Sequence, residues 1–188
     1  MTRAKFLGHL RTINRHKALV TKYCFKAGIG LQGLRHDLSK YAPTELAAGA
    51  RYFQGDRSPN AAERDDRGFT EAWLHHKGRN KHHFEYWIDI AGAKSGGMAA
   101  PMPTRYVVEM LCDRIAACRV YQKDAYTDAS ALEYFERNVE HICMHPDTQA
   151  LLLHMLQLVA DLGEDAALAE IKRTIVKPRW HGGARARW

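Results

Sequence analysis

The sequence predicts an all-α protein with a single domain, and three observations support this fold class. Apolar residues recur every three or four positions along most of the chain, as they do on the buried face of a helix. Glycine, proline and capping residues separate these stretches, whereas no two segments alternate in the way that predicts paired strands. A chain of 188 residues suits one domain with a buried core. We therefore expect a bundle of about six or seven helices over residues 1–176, followed by a loose basic tail at residues 177–188.

The first half of the chain is predicted to contain three helices and a polar loop. Apolar spacing predicts a helix over residues 6–24. Another helix is expected over residues 43–53, because the proline at its start favours a first helical turn. Residues 54–68 are polar and rich in glycine, aspartate and proline, which predicts a loop with one short turn at the most. Residues 69–76 predict the next helix.

The second half is predicted to begin with a linker or active-site loop. Residues 91–103 are rich in glycine, alanine and proline and favour no regular element. Thr104 is predicted to cap a long helix, and a further helix is expected over residues 128–144. The last helix is predicted over residues 148–175, with Gly163 as a kink.

The charge of the chain favours a negatively charged ligand. There are 28 basic and 21 acidic residues, which gives a net charge of +7 with neutral histidines. Such a charge suits a small phosphorylated molecule or a nucleic acid. A solvated basic surface explains the net charge as well. The charge does not predict an oligomeric state.

The cysteines and the apolar stretches indicate a soluble cytoplasmic protein with no membrane partner. The four cysteines are widely spaced and form no Cys-x-x-Cys motif, which argues against a thiolate zinc site. Unpaired thiols suit a reducing compartment. No signal peptide is visible, and no apolar stretch approaches the ~20 residues that span a bilayer.

Histidine and aspartate are concentrated in two short motifs, which contain five of the eleven histidines. The first motif is His36-Asp37 within RHDLSK, and the second holds the adjacent pairs His75-His76 and His82-His83. Neutral imidazoles and carboxylates are the groups that hold a hydrolytic divalent ion. With His16 upstream and Asp113 downstream, the sequence predicts a site for one divalent ion or a pair, with Mn, Fe, Co, Ni and Zn as candidates.

Each of these residues also has a simpler interpretation. Asp37 could cap the helix that begins near Pro43 or bind a backbone amide. The paired histidines could form a solvated turn beside Trp73 and Trp87. His16 and Asp113 could be ordinary residues of amphipathic helices, and we favour the metal site because all of these residues occur together.

The order of these residues resembles that of the HD-domain metal-dependent phosphohydrolases. His36 to Lys40 is similar to the His-Asp-x-Gly-Lys stretch of many members, with Ser39 in place of glycine. The resemblance covers residues 9–120. It implies an HD-like helical bundle that hydrolyses a phosphate ester, with nucleotides among the candidates, by metal-activated hydroxide.

This resemblance also implies which residues are the metal ligands. The first ion would be held by His16, His36, Asp37 and Asp113. A second ion would be held by one histidine from each pair, for which we expect His76 and His82, although the sequence does not decide between neighbours. Asp37 would bridge the ions or accept a proton.

The same resemblance implies supporting roles for further residues. Lys40 would stabilise charge on a phosphoryl oxygen. Glu45 or Glu109 would orient ligand imidazoles by accepting their other N–H. His75 and His83 would contact the metal ligands or donate to the phosphate of the substrate. Arg79 and Lys81, between the two pairs, could also reach an anion.

A second resemblance is narrower in scope. The HDLSKY motif followed by Glu45, the paired histidines with Asn80 between them, and Glu109 to Asp113 resemble a family of small bacterial and phage proteins of unknown function. This resemblance covers residues 14–117 and implies no activity.

Three other functions remain open from the sequence. A di-iron oxygenase could use a similar helical ligand set, and a metal ion could serve only to stabilise the fold. A non-catalytic module could bind nucleic acid or a protein partner through its basic tail, in which Arg185-Ala186-Arg187-Trp188 combines charge with stacking.

Overall fold

A computed structural model describes residues 2–90 and 97–177, and within these ranges the protein is mostly helical. This confirms the predicted all-α class. The described residues form nine α-helices, which are α1 (Arg3–Ala27), α2 (Gly30–Arg35), α3 (Pro43–Arg51), α4 (Pro59–Arg67), α5 (Glu71–Lys77), α6 (Thr104–Gln122), α7 (Ser130–Asn138), α8 (Pro146–Leu162) and α9 (Glu164–Ile171). Apart from Lys177, the predicted basic tail lies outside the described residues. No helix in these two ranges is both long and apolar enough to cross a membrane.

The predicted loop at residues 54–68 is wrong, because it contains helix α4. Pro59 occupies the first turn, and Gly68 ends the helix in a left-handed conformation with φ of 77°. The buried carboxylate of Glu63 accepts hydrogen bonds from the Glu71 backbone and the Arg67 side chain. The helix escaped detection because its inward face carries only an alanine and this glutamate instead of large apolar residues.

Two short strands and a helix break also differ from the predictions. Strands β1 (Ile88–Ile90) and β2 (Gly97–Ala99) pair antiparallel, with Ile88 opposite Ala99. Each strand has three residues, too few for a visible alternation of polar and apolar positions. Gly163 does more than kink the last helix, because its φ of 78° and ψ of 163° separate α8 from α9.

Helix α6 lies at the centre of the structure and has two differently used faces. Its apolar side packs into the main core with α1, α8 and α9. The fully buried residues of this core include Val20, Leu111, Ile115, Leu156 and Leu168. Glu109 and Asp113 lie four positions apart and therefore share another side of α6. This arrangement fixes two carboxylates against a rigid element.

A partly buried hydrogen-bond network attaches the start of α9 to the rest of the bundle. The Oε1 atom of Glu164 accepts from the hydroxyl of Tyr23 at 3.1 Å and from that of Tyr126 at 2.8 Å. The guanidinium of Arg119 donates to the same oxygen at 2.5 Å. Glu164 therefore joins α1, α6 and α9.

The packing of α2 on α1 places the His36-Asp37 motif. At Gly33 the two helices approach so closely that a Cβ atom would lie 2.4 Å from Cys24 Cβ and 3.3 Å from Thr21 Cα. Lys17 Nζ donates to the carbonyl oxygens of Leu34 at 3.0 Å and His36 at 2.6 Å. These bonds satisfy carbonyl groups at the end of α2 that have no partner within a helix.

We predict that Gly33→Ala lowers the free energy of unfolding by about 1–3 kcal/mol, because the added methyl group must force α1 and α2 apart. Urea unfolding followed by circular dichroism measures this change. Gly78→Ala is the matched control, since its Cβ would meet no atom closer than 3.4 Å. An equal loss in both variants would contradict the close-packing explanation.

Candidate metal centre

Seven side chains from four parts of the fold converge into two overlapping clusters. Helix α1 supplies His16, the segment after α2 supplies His36 and Asp37, α5 with the turn after it supplies His76, His82 and His83, and α6 supplies Asp113. The first cluster consists of His16, His36, Asp37 and Asp113, and the second of Asp37, His76, His82 and His83. Within each cluster, one candidate ligand atom per residue lies within 4.8 Å of the others. Residues that are distant in sequence therefore meet at one point.

Asp37 belongs to both clusters, and its two oxygens face different ones. Oδ1 lies 3.3 Å from His76 Nε2 and 3.4 Å from His82 Nε2. Oδ2 lies 3.1 Å from His36 Nε2 and 2.7 Å from Lys40 Nζ. The backbone of Asp37 is left-handed, with φ of 52°, a conformation that aspartate tolerates better than most residues. This carboxylate has the position of a bridging ligand.

Several buried atoms at the meeting point have no hydrogen-bond partner. They are both carboxylate oxygens of Asp37, Nε2 of His36 and Nε2 of His82. The nitrogens around Asp37 are near enough for electrostatic attraction, but their directions do not make hydrogen bonds. Buried polar atoms rarely lack partners, because their desolvation is costly. A divalent cation would satisfy all four atoms, so these residues fit a metal site.

Glu109 fixes the orientation of two candidate ligands. Its Oε1 lies 2.9 Å from His36 Nδ1 and 3.2 Å from His82 Nδ1. Since an ionised carboxylate can only accept, each Nδ1 carries a proton, which leaves Nε2 of each ring as the atom that could bind a metal. Gln32 donates to the other oxygen of Glu109. The resemblance to HD-domain enzymes implies such contacts for Glu45 or Glu109, and Glu109 makes them with both rings.

Glu45 has the same relationship with the first histidine pair. One oxygen lies 2.7 Å from His76 Nδ1, and the other lies 2.6 Å from His75 Nδ1. His76 points its Nε2 toward Asp37, whereas His75 belongs to neither cluster. Glu45 therefore holds His76 through Nδ1, whereas Nε2 of the same ring faces Asp37.

The second pair and Arg79 differ from the expected arrangement. We expected His83 to bind substrate or support a ligand, but its Nε2 lies 2.9 Å from His76 Nε2 within the second cluster. His82 joins that cluster as expected. Arg79 is exposed and donates to the carbonyl oxygen of His75 at 3.2 Å, at the end of α5. Its guanidinium is thus directed along the helix and not into the centre.

Sequence reasoning missed three residues that hold His76. Asn80 Nδ2 donates to Ser39 Oγ and to the carbonyl oxygen of His76, both at 2.8 Å. Ser39 Oγ lies 3.1 Å from His76 Nδ1. The ring of Trp73 stacks on His76 with centroids 5.5 Å apart. Their places inside or beside the two histidine motifs were the only available signal.

Electrostatic coupling at the centre opposes the effect of burial. Burial alone would favour the uncharged carboxyl of Asp37, but His36 and Lys40 outweigh it and hold the pKa of Asp37 well below its usual range. Burial also disfavours charge on His36 and His76, yet the nearby Asp37 raises the pKa of both imidazoles. Cation binding must displace the protons of these two imidazoles, so metal affinity should rise with pH.

A cavity of about 870 Å³ lies against the two clusters. Its wall includes His16, His76, His83, Asp113 and Lys40. The volume lies within the range of pockets that enclose small organic ligands. A ligand in this cavity would therefore reach candidate metal ligands and a lysine at the same time.

The fold and the centre define a small helical protein with a buried histidine-carboxylate site beside a cavity. The chain belongs to a family of unknown function, DUF5662, whose family model matches residues 5–158. That range contains every residue of both clusters. The match confirms the expected resemblance to a family of unknown function. Searches among curated proteins and among solved structures found no match.

We predict that Glu109→Gln weakens metal binding about 10–100-fold, because one amide oxygen and one N–H cannot replace a carboxylate that accepts from two imidazoles. Titration of the protein against a chelating dye measures the affinity. Glu164→Gln is the control, since that carboxylate also accepts several hydrogen bonds but belongs to neither cluster. Unchanged affinity in Glu109→Gln would argue against its orienting role.

A further histidine, His9, lies buried on α1 and belongs to neither cluster. Its Nδ1 has no hydrogen-bond partner, and a Cβ on Gly49 would lie 2.1 Å from its Nε2. Burial, aided by the positive charge of Lys40, lowers the pKa of His9 from 6.5 to about 4. The folded protein therefore holds His9 uncharged.

This shift predicts a loss of stability in acid. Between pH 6.5 and about 4 the unfolded chain binds a proton at His9 that the folded chain excludes, so the free energy of unfolding falls as pH falls. His9→Gln should lose less stability than the wild type over that interval. Urea unfolding of both proteins with the same chelator gives the comparison, and parallel pH curves would disprove the assignment.

Proposed function

We propose that this protein is a metal-dependent phosphohydrolase acting on a small phosphate ester, with nucleotides as candidate substrates. One observation carries the proposal: the Asp37 carboxylate divides its oxygens between two clusters that border a cavity. A shared carboxylate is suited to a pair of divalent ions. The resemblance to HD-domain enzymes, which rests on the HDLSK motif and its distant partners, adds support.

The two clusters identify the residues that would hold the metal. His16, His36 and Asp113 would bind the metal on one side of Asp37. His76, His82 and His83 would bind it on the other side. A bound divalent ion supplies hydroxide at neutral pH and polarises a phosphoryl oxygen. Imidazole and carboxylate donors suit Mn, Fe, Co, Ni or Zn.

Lys40 would contribute a permanent positive charge. Its Nζ lies 2.7 Å from Asp37 Oδ2, and it also lines the cavity. Burial opposes the charge, but Asp37 and Asp113 outweigh that effect and raise the pKa of Lys40. A protonated Lys40 can stabilise negative charge that develops on a phosphoryl oxygen.

The low pKa of Asp37 favours one of the two roles considered for it. A carboxylate whose pKa lies well below its usual range binds a proton poorly at neutral pH. Asp37 therefore suits a bridge between ions better than a proton acceptor.

The state of the cysteines agrees with the proposed location in the cytoplasm. Cys24, Cys112, Cys118 and Cys143 are all free thiols, and Cys24 and Cys112 are buried in the core. Free thiols are the usual state of cysteine in a reducing compartment.

Neither charge nor fold favours one substrate among small phosphate esters.

The decisive experiment compares metal content and hydrolysis in matched variants. Protein purified without an affinity tag should contain bound transition metal, and it should hydrolyse members of a phosphate-ester panel. Asp37→Asn should lose both properties while keeping its helicity, because asparagine also tolerates the left-handed backbone. His36→Ala should behave in the same way, whereas His154→Ala should match the wild type, since His154 is exposed on α8.

Two results would reject the proposal. One is the absence of metal from the wild type after incubation with each candidate ion. The other is full phosphatase activity in Asp37→Asn, because the bridging role would then be unnecessary.

A further inference from the structure

The cavity has a second polar region, formed by Arg114 and Glu85. Arg114 follows Asp113 on α6, and its guanidinium lies 5.5 Å from the centroid of the Phe135 ring. Its Nε is buried without a hydrogen-bond partner. Glu85 lies in the short helical turn Phe84–Trp87 before β1, and its Oε2 is also buried without a partner. Neither residue belongs to a candidate metal cluster.

These opposite charges do not neutralise each other by direct contact. In the part of the chain that the structure describes, no carboxylate oxygen lies within 4.0 Å of the Arg114 guanidinium. Arg114 Nε and Glu85 Oε2 are both shielded from water and have no hydrogen-bond partner, so neither atom has the stabilisation that water would give it. Buried polar groups without partners are costly, and a ligand that pairs with both would remove that cost.

The wall of the cavity also contains aromatic side chains. Phe84, Tyr121 and Tyr134 line the same cavity. Aromatic faces favour a flat organic group, and a guanidinium presents several donors in one plane. The cavity thus offers aromatic faces together with a donor group in Arg114 and an acceptor group in Glu85.

We propose that Arg114 and Glu85 together recognise the organic part of the substrate, donating to an acceptor atom and accepting from a neighbouring donor. The edge of a nucleobase presents such an acceptor beside a donor, so the chemical class is a nucleoside phosphate. The inference rests on the proposed function, because the phosphate must lie toward Lys40 and the metal ligands. Arg114 and Glu85 are specificity residues, whereas the chemistry belongs to the two clusters.

The test uses ligands without phosphate, so that binding is measured independently of hydrolysis. Guanosine, adenosine, cytidine, uridine and free ribose are titrated calorimetrically into the metal-containing protein. At least one nucleoside should bind tenfold or more tightly than ribose, and Arg114→Gln and Glu85→Gln should each weaken that binding about tenfold. Arg137→Gln and Glu133→Gln alter an exposed pair on α7 and should retain wild-type affinity.

Glu85→Gln is expected to keep the fold. Far-ultraviolet circular dichroism checks the helicity of Glu85→Gln and Arg114→Gln. Arg114→Lys preserves the charge beside Phe135 but loses the planar donor set, so it should also lose nucleoside affinity. Equal affinity for nucleosides and ribose, or wild-type affinity in Glu85→Gln, would overturn the inference even if phosphate esters are hydrolysed. Nucleoside binding that depends on both residues would uphold it even if the phosphatase panel failed.

Discussion

The structure depends on the burial of carboxylates beside imidazoles. Asp37, Glu45 and Glu109 are almost inaccessible to solvent, and Asp113 is largely covered. Isolated buried charges would be expensive, so each carboxylate is stable only because histidine or lysine nitrogens lie within a few ångströms. Helix packing and site geometry are therefore not independent, since displacement of one element would leave charges on the others without partners.

Helices α6 and α1 each use one face for the apolar core and another face for the candidate metal centre. Helix α6 fills the main core with apolar residues and presents Glu109 and Asp113 on another side. Helix α1 does the same with Val20 in the core and His16 at the centre. Because one rigid helix serves both purposes, side chains from distant parts of the sequence are held with little freedom. Loop segments contribute His36, Asp37 and the second histidine pair, but each of these segments begins at a helix end.

The residue types in the sequence predicted the centre better than they predicted its internal arrangement. His16, His36 and Asp113 lie in one cluster, which is the arrangement that the resemblance to HD-domain enzymes implied. The sequence could not decide which histidine of an adjacent pair faces Asp37, since the direction of each ring depends on the turn after α5. In the structure both His82 and His83 belong to the second cluster. Polar helix α4 was missed because it lacks an apolar stripe. Arg114 and Glu85 carried no motif, and only their tertiary approach to one cavity distinguishes them from ordinary surface charges.

The left-handed backbone at Asp37 restricts how this family can evolve. Only glycine, asparagine and aspartate adopt that conformation at low cost, so most single substitutions at this position would disturb the backbone as well as remove a carboxylate. A lineage that no longer needed this carboxylate could therefore drift to asparagine or glycine here while retaining the helical scaffold. Descendants that have lost the carboxylate should be recognisable by one of these two residues between an intact histidine and the leucine that follows.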